Sequence, residues 1–277
     1  MPPLNEISVN QLARLVGTPE APIIFDLRIA EDVEEITFLV PGATQFAHTD
    51  FNSMLTYARV EESPAVIICH KGKKLSQGIA ALLRNAGIAA EFLGGGMVAW
   101  NSGGFPAIAR DKIPLDIRPT LWVTRHRPKI DRIACPWLIR RYVDRHARFL
   151  YVSPQEVLDV ADRFNAIPYD IEGVFWSHRE EKCSFDLMID EFNLHCDALD
   201  TMAKIIRGAD TNKHDLAPEC AGLLAYAIGV SRQFRNDNAQ LDASMGFYDA
   251  LYRWARDGRD ETHDWPGIGH KKELKIT

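Results

Sequence analysis

The 277-residue sequence has no apolar run that approaches the length needed to cross a membrane. A helical span takes about 20 predominantly apolar residues, so membrane contact is not expected. The opening Met-Pro-Pro-Leu-Asn-Glu lacks the basic and apolar regions of a secretory leader. Cysteine is scarce. Five residues at irregular spacing form an odd set that fits no disulfide framework, which points to reduced thiols and a cytoplasmic location. Positive charge is not in excess either, and a formal net charge of −6 excludes a protein that binds polyanions over its whole surface. Repeats and low-complexity segments are absent. What remains is ordinary for a globular chain, 46% apolar and 25% charged, and long enough for two domains, each with its own core.

The stretch richest in chemistry is Val66-Ile67-Ile68-Cys69-His70-Lys71-Gly72-Lys73-Lys74. A β-branched apolar run reads as a buried strand. It ends at a cysteine, passes through a glycine-containing polar turn and enters an apolar-periodic helix that includes Ile79, Leu82 and Leu83. A strand-loop-helix of this kind presents a nucleophile. Loop N–H groups and the positive end of the helix can converge on the sulfur, and Lys71, Lys73 and Lys74 favour thiolate over thiol. The competing reading is an inert structural cysteine at a strand end. Three cations and a glycine turn around one thiol weigh against it.

Cys69-x-x-Gly72-x-Lys74 resembles the rhodanese active-site loop, Cys-x-x-Gly-x-Arg followed by a small hydroxyl residue. Three further pieces follow the rhodanese pattern in order: Phe25-Asp26-Leu27-Arg28, Pro41-Gly42-Ala43, and Leu93-Gly94-Gly95-Gly96-Met97-Val98-Ala99-Trp100. The resemblance covers residues 1 to about 112. It implies a parallel sheet with helices on both faces, catalysis by Cys69, substrate binding by His70, Lys71, Gly72, Lys73 and Lys74, a structural pair of Asp26 with Arg28, and no cofactor for sulfur transfer. Two positions depart from the pattern: Lys74 stands in place of arginine, so a bidentate fork becomes a point charge, and Leu75 stands where a hydroxyl residue is common. The loop is one residue short of the cysteine-phosphatase loop, which argues against phosphatase chemistry.

Along the chain, helices are expected at Ile7–Val16 with Ser8 as cap, at Asp50–Ala58 and at Gln77–Asn85, with strands at Pro22–Leu27, Val66–Ile68 and Ala89–Leu93. Pro114 and Pro119 break helical periodicity over residues 108–120, which read as a linker or an edge strand. The domains are thus expected at 1–112 and 120–277. In the second, Leu121–Thr124 and Arg148–Val152 read as strands, Pro136 as the first turn of a helix, Ser153 as cap of a helix to about Phe164, and Ile167–Ile171 and Val174–Ser177 as strands. Phe185, Met188, Ile189 and Phe192 mark an amphipathic helix, and helices follow at Ala198–Arg207, Pro218–Phe234 and Ala239–Asp257. The fold class is α/β, a rhodanese-like parallel sheet followed by a mainly helical α+β domain.

The second half resembles the C-terminal domain of ChrB-type chromate-resistance proteins. The resemblance rests on Trp122-Val123-Thr124-Arg125, Asp131-Arg132, Trp137-Leu138-Ile139-Arg140-Arg141, Ser177-His178 with Cys183-Ser184-Phe185, and Arg207-Gly208-Ala209-Asp210. It implies a role in oxyanion stress. Arginine forks at Arg125, Arg132, Arg140 and Arg141 suit a tetrahedral oxyanion, or phosphates of a nucleic acid. A basic face with structural ion pairs is the plainer reading. His178 and Cys183 can bind a metal or hold a redox thiol, Cys183 with a pKa lowered by the helix that follows it, but a satisfied histidine and a buried cysteine are the plainer reading. His195, Cys196, Asp210 and His214 are further candidates, and Cys135 and Cys220 read as core. The leading expectation is a sulfurtransferase that forms a persulfide on Cys69, with a small donor such as thiosulfate and a thiol acceptor. The alternative is a chromate-responsive regulator or oxyanion-binding protein whose rhodanese module is not catalytic.

Overall fold

A computed structural model of the chain describes residues 5–112 and 119–261. The first half contains strands β1 (Glu6–Ile7), β2 (Ile23–Asp26), β3 (Phe38–Leu39), β4 (Ala43–Gln45), β5 (Ala65–Ile68), β6 (Ala90–Leu93) and β7 (Ile108–Ala109). Its helices are α1 (Val9–Leu15), α2 (Ala30–Glu35), α3 (Phe51–Glu61), α4 (Lys74–Asn85) and α5 (Gly96–Ser102). Five strands form one parallel sheet in the order β1-β6-β5-β2-β4. Alternation along each strand sends successive side chains to opposite faces. Ile24, Val66, Ile68 and Leu93 enter one core cluster, while Ile23, Phe25, Ile67 and Phe92 enter another beneath α3 and α4. Ser8 caps α1 in a reciprocal capping box with Gln11, and Asp50 caps α3 through the Ser53 amide. Asp26 and Arg28 pair at 2.7 Å in a dry setting, and Arg28 also donates to the Ile36 and Phe38 carbonyls. The pair thereby ties the end of β2 to β3.

The second half contains strands β8 (Leu121–Arg125), β9 (Arg148–Val152) and β10 (Ile167–Pro168), parallel in the order β10-β8-β9. Around them lie α6 (Asp131–Leu138), which runs on into a wide turn at Ile139–Val143, then α7 (Val157–Phe164), α8 (Ser184–Phe192), α9 (Asp197–Asp210), α10 (Cys220–Gln233) and α11 (Asp237–Asp257). No helix of the described residues is long and apolar enough to cross a membrane.

Several local expectations are corrected. Pro136 sits well inside α6, not in its first turn. A proline there leaves the carbonyl four residues earlier without its N–H partner. That carbonyl, Arg132 O, instead accepts from the Tyr151 hydroxyl at 3.2 Å and the Tyr169 hydroxyl at 3.3 Å. Ser153 makes no cap bond, and a short 3₁₀ turn at Pro154–Glu156 precedes α7. The strand at 167–171 ends early because Asp170 turns to φ +51°. Val174–Ser177 forms no strand and contributes one isolated bridge, Tyr169 to Trp176. In the stretch read as a linker, Ile108–Ala109 pairs antiparallel with β3 and a 3₁₀ turn follows at Arg110–Lys112. The rest of it, 113–118, and the tail from 262 lie outside the described residues.

The halves do not keep separate cores. The cluster on one face of the N-terminal sheet is continuous through Trp100 and Ile108 with Trp122, Trp137, Tyr142, Phe185 and Tyr252. Gly17 adopts φ +79°, and a Cβ there would lie 2.2 Å from the Tyr142 hydroxyl, so Tyr142 fills the space that a side chain at 17 would need. The Gly42 amide donates to the Tyr142 carbonyl at 2.6 Å, Asn193 donates to the Ala107 carbonyl at 3.0 Å, and Glu61 of α3 meets His146 at 2.8 Å.

Candidate functional site

β5 is fully buried in the middle of its sheet, between β6 and β2, and its carboxyl end delivers Cys69. This is where ligands bind in open parallel sheets. The Cys69 side chain is 5% exposed. The Lys73 amide donates to Sγ at 3.3 Å, and the Ser76 hydroxyl lies 3.1 Å from Sγ while donating to the Lys73 carbonyl at 3.2 Å. The helix after the cysteine begins at Lys74, three residues earlier than its apolar period suggests. That earlier start puts Ser76 in the first turn, facing the sulfur. The hydroxyl missing at Leu75 is therefore supplied one residue on, a partner that the sequence motif alone did not reveal.

The loop is braced from behind by the triple glycine that opens α5. The Met97 amide donates to the Cys69 carbonyl and the Val98 amide to the His70 carbonyl, both at 3.0 Å. A Cβ on Gly96, which has φ +62°, would meet the Cys69 carbonyl at 2.2 Å and the Gly72 amide at 2.5 Å. Gly72 itself has φ +64°. Two segments that look like separate motifs in sequence are therefore one packed unit. Lys71, Lys73 and Lys74 are exposed around it, and none is ion-paired among the described residues. His70 is different. Its buried ring lies 3.2 Å from Glu35 and 4.0 Å from Asp32 of α2, and neither nitrogen makes a hydrogen bond. That setting suits a structural role and not contact with an anionic donor.

The second-half candidates divide. Arg141 is clasped by Asp249 with two contacts of 2.7 Å, and Arg140 by Asp242 at 3.0 Å, so α11 occupies both guanidinium groups. Arg125 and Arg132 both pair with Asp170, at 3.3 and 3.2 Å. Cys183 is fully buried and caps α8 in a reciprocal box with Asp186. Burial, with the Asp131 and Asp186 carboxylates, pushes its thiol well above the ordinary range. The expectation of a lowered pKa is thereby overturned, because desolvation outweighs the helix dipole. His195 is held on the surface by Asp190 and Asp200. Cys135 and Cys220 are buried in the core.

His178 lies in a loop, and its Nε2 stands 3.1 Å from Asp170, 3.3 Å from Asp131 and 3.4 Å from Asp210. Asp131 opens α6, Asp210 closes α9, and Asp170 follows β10. Asp131 and Asp170 hold the imidazole protonated, pushed up to about 10. Burial, and then the charges of Asp131 and Asp170, raise Asp210 to about 7. Burial opposes ionisation of Asp170, but hydrogen bonds from His178 and Ser184 and the charge of Arg132 keep it below the ordinary carboxylate range. Ile130, next to Asp131, has φ +33°. A β-branched residue there is strained, and such strain gathers at functional sites.

Residues 122–255 match the family described as ChrB, C-terminal domain. Protein ChrB of Cupriavidus metallidurans is 32% identical over 140 residues, which are 50% of this chain and 42% of that protein. The chain thus spans less than half the length of this curated relative. Solved structures similar to part of this chain include a rhodanese-related protein from Thermoplasma volcanium, with 16% identity, 38% of this chain and 98% of that one covered, and a TM-score of 0.33. A rhodanese-like domain protein from Staphylococcus aureus has 23% identity, with 35% and 91% covered and a TM-score of 0.31. Thiosulfate sulfurtransferase from Pseudomonas aeruginosa has 22% identity, with 38% and 19% covered and a TM-score of 0.33. The sheet order, the Cys69 loop and its glycine brace characterise the first half independently of these scores. Residues 122–255 are thus similar to the ChrB C-terminal domain, and in this chain they follow a half built on a five-stranded parallel sheet.

Proposed function

We propose that the protein is a sulfurtransferase that carries sulfur as a persulfide on Cys69, in the service of chromate or oxyanion resistance through its ChrB-type half. The observation that supports this reading most directly is the sulfur's setting: a strand-end thiol held by the Lys73 amide and the Ser76 hydroxyl, in a loop packed on Gly96. The Cys69 thiolate attacks the outer sulfur of a donor such as thiosulfate. A new S–S bond forms, the donor's own S–S bond breaks, and sulfite leaves with the electron pair. An acceptor thiolate, or cyanide in an assay, then attacks the outer sulfur and Cys69 departs as thiolate. The Lys73 amide stabilises the charge on sulfur at both ends of the cycle, and the Ser76 hydroxyl does so when its single proton turns from the Lys73 carbonyl to the sulfur. The exposed lysines draw in an anionic donor as point charges, without the planar fork of an arginine. The binding or regulatory alternative loses support from the occupation of Arg140 and Arg141 by Asp242 and Asp249.

Intact-mass analysis after incubation with thiosulfate tests the proposal. The expected result is a gain of one sulfur, located on the Cys69 peptide and released by cyanide as thiocyanate. No gain with thiosulfate, polysulfide or a thiosulfonate would overturn it. Ser76→Ala is expected to lower kcat/KM for thiocyanate formation about tenfold to a hundredfold, since a hydrogen bond to a charged group contributes about 1.5–3 kcal/mol. Alanine at a buried helical position keeps α4 intact, so an unchanged rate would remove Ser76 from the mechanism.

A further inference from the structure

The geometry points to a divalent metal site in the second half, built by Asp131, Asp170 and His178 with Asp210 as a fourth donor, that takes a first-row cation of the Mn²⁺ or Zn²⁺ class. One donor atom from each of Asp131, Asp170 and His178 lies within 4.8 Å of the others. Three carboxylates converge on the single Nε2 of His178 at 3.1, 3.3 and 3.4 Å. One imidazole nitrogen carries at most one hydrogen, so a proton can be given properly to only one of the three acceptors. A divalent ion serves all of them at once. Donors about 2.1 Å from a shared ion are separated by roughly 3.0 Å at octahedral angles and roughly 3.4 Å at tetrahedral angles, which brackets the separations observed.

A second observation points the same way. Asp131 is 1% exposed, and its Oδ1 is buried with no hydrogen-bond partner. Its other oxygen, Oδ2, faces His178 at 3.3 Å and accepts from the Ser184 amide at 2.7 Å. An orphaned carboxylate oxygen in a dry pocket is costly unless something cationic completes it. Asp170 is oriented in the manner of a ligand. Its Oδ1 accepts from the Ser184 hydroxyl at 2.9 Å and faces His178, while Oδ2 is held by Arg125 and Arg132. Outer-shell bonds of this kind fix metal ligands in place. The donor set is oxygen-rich with one imidazole and no thiol. It therefore favours Mn²⁺ or Zn²⁺ over a soft ion such as Cu⁺, and Cys183 is not part of it, being used as the cap of α8.

The test uses the full chain stripped with chelator and titrated calorimetrically with MnCl₂ and, separately, ZnCl₂, with elemental analysis after desalting. The expected result is about one ion per chain, with affinity falling at least about tenfold in Asp131→Asn and in His178→Gln, and unchanged in Cys183→Ser and Cys69→Ser. Wild-type protein that takes up neither ion would overturn the assignment. So would folded Asp131→Asn or His178→Gln protein that binds as tightly as wild type, or loss of binding in Cys183→Ser. Should both Asp131→Asn and His178→Gln fail to fold, thermal melting of the wild type decides: a midpoint that rises with added Mn²⁺ or Zn²⁺ supports the site, and a midpoint indifferent to both ions removes it.

Discussion

Cys69→Ser protein is expected to form no persulfide, and Gly96→Ala, which leaves the thiol untouched, to lose nearly all sulfur transfer as well. The second loss is the more informative. Gly96 sits at φ +62°, where L side chains are strained, and its missing Cβ is the space into which the Cys69 carbonyl, the Gly72 amide and the His70 carbonyl pack at 2.2, 2.5 and 2.7 Å. All three are backbone atoms, so no flexible side chain can move aside. The loop has to shift, and the Lys73 amide and Ser76 hydroxyl leave the sulfur with it. Displacing a reacting group by about 1 Å costs on the order of a hundredfold, so kcat/KM for thiocyanate formation should fall by at least that factor. Far-UV circular dichroism should stay near wild type, because α5 is one short helix at the rim of the sheet. A Gly96→Ala protein that keeps its rate would mean that the triple glycine does not hold the loop.

Trp137→Ala is expected to destabilise the whole chain by about 3–5 kcal/mol, the range for deleting a large buried aromatic. The ring is fully buried, stacks on Phe185 at 29°, and has Tyr142, Tyr248 and Tyr252 around it. Its Nε1 donates at 2.8 Å to Asp249, the carboxylate that also clasps Arg141. Alanine therefore opens a cavity where five aromatic side chains meet and removes one hydrogen-bond donor from the carboxylate of a part-buried ion pair. Guanidinium unfolding followed by far-UV circular dichroism and by fluorescence of the remaining tryptophans is the measurement. The midpoint should drop and the two probes should coincide, since the cluster holding Trp137 continues into the N-terminal sheet. A separate, unshifted transition of the N-terminal half would contradict that continuity.

Reading the chain without its fold recovers what is local. The β-branched run before Cys69, the glycine turn and the Asp26–Arg28 spacing each encode their geometry within a few residues, and each stands where it was expected. Ser76 was missed because helix α4 starts before its apolar period does, which turns a residue seven positions on back toward the sulfur. The Asp131, Asp170, His178 and Asp210 cluster is spread over two helix ends and two loops, so no spacing rule gathers it. Pro136 misled because the hydroxyls of Tyr151 and Tyr169, on other elements, satisfy the carbonyl that a proline strands. For Cys183 the reading as a buried cysteine holds, and only the lowered pKa fails, because the position before a helix is visible in sequence and the extent of desolvation is not.

The shared core has a further meaning for how the chain was assembled. Tyr142 from the second half lies where Gly17 of the first would carry a side chain, and its carbonyl accepts from the Gly42 amide. These are the contacts of two partners fitted to each other, of the sort made by subunits of an obligate heterodimer. Carrying both on one chain then keeps one copy of each beside the other. Adhesion belongs to the apolar surfaces themselves, and the covalent join supplies stoichiometry and a high effective concentration.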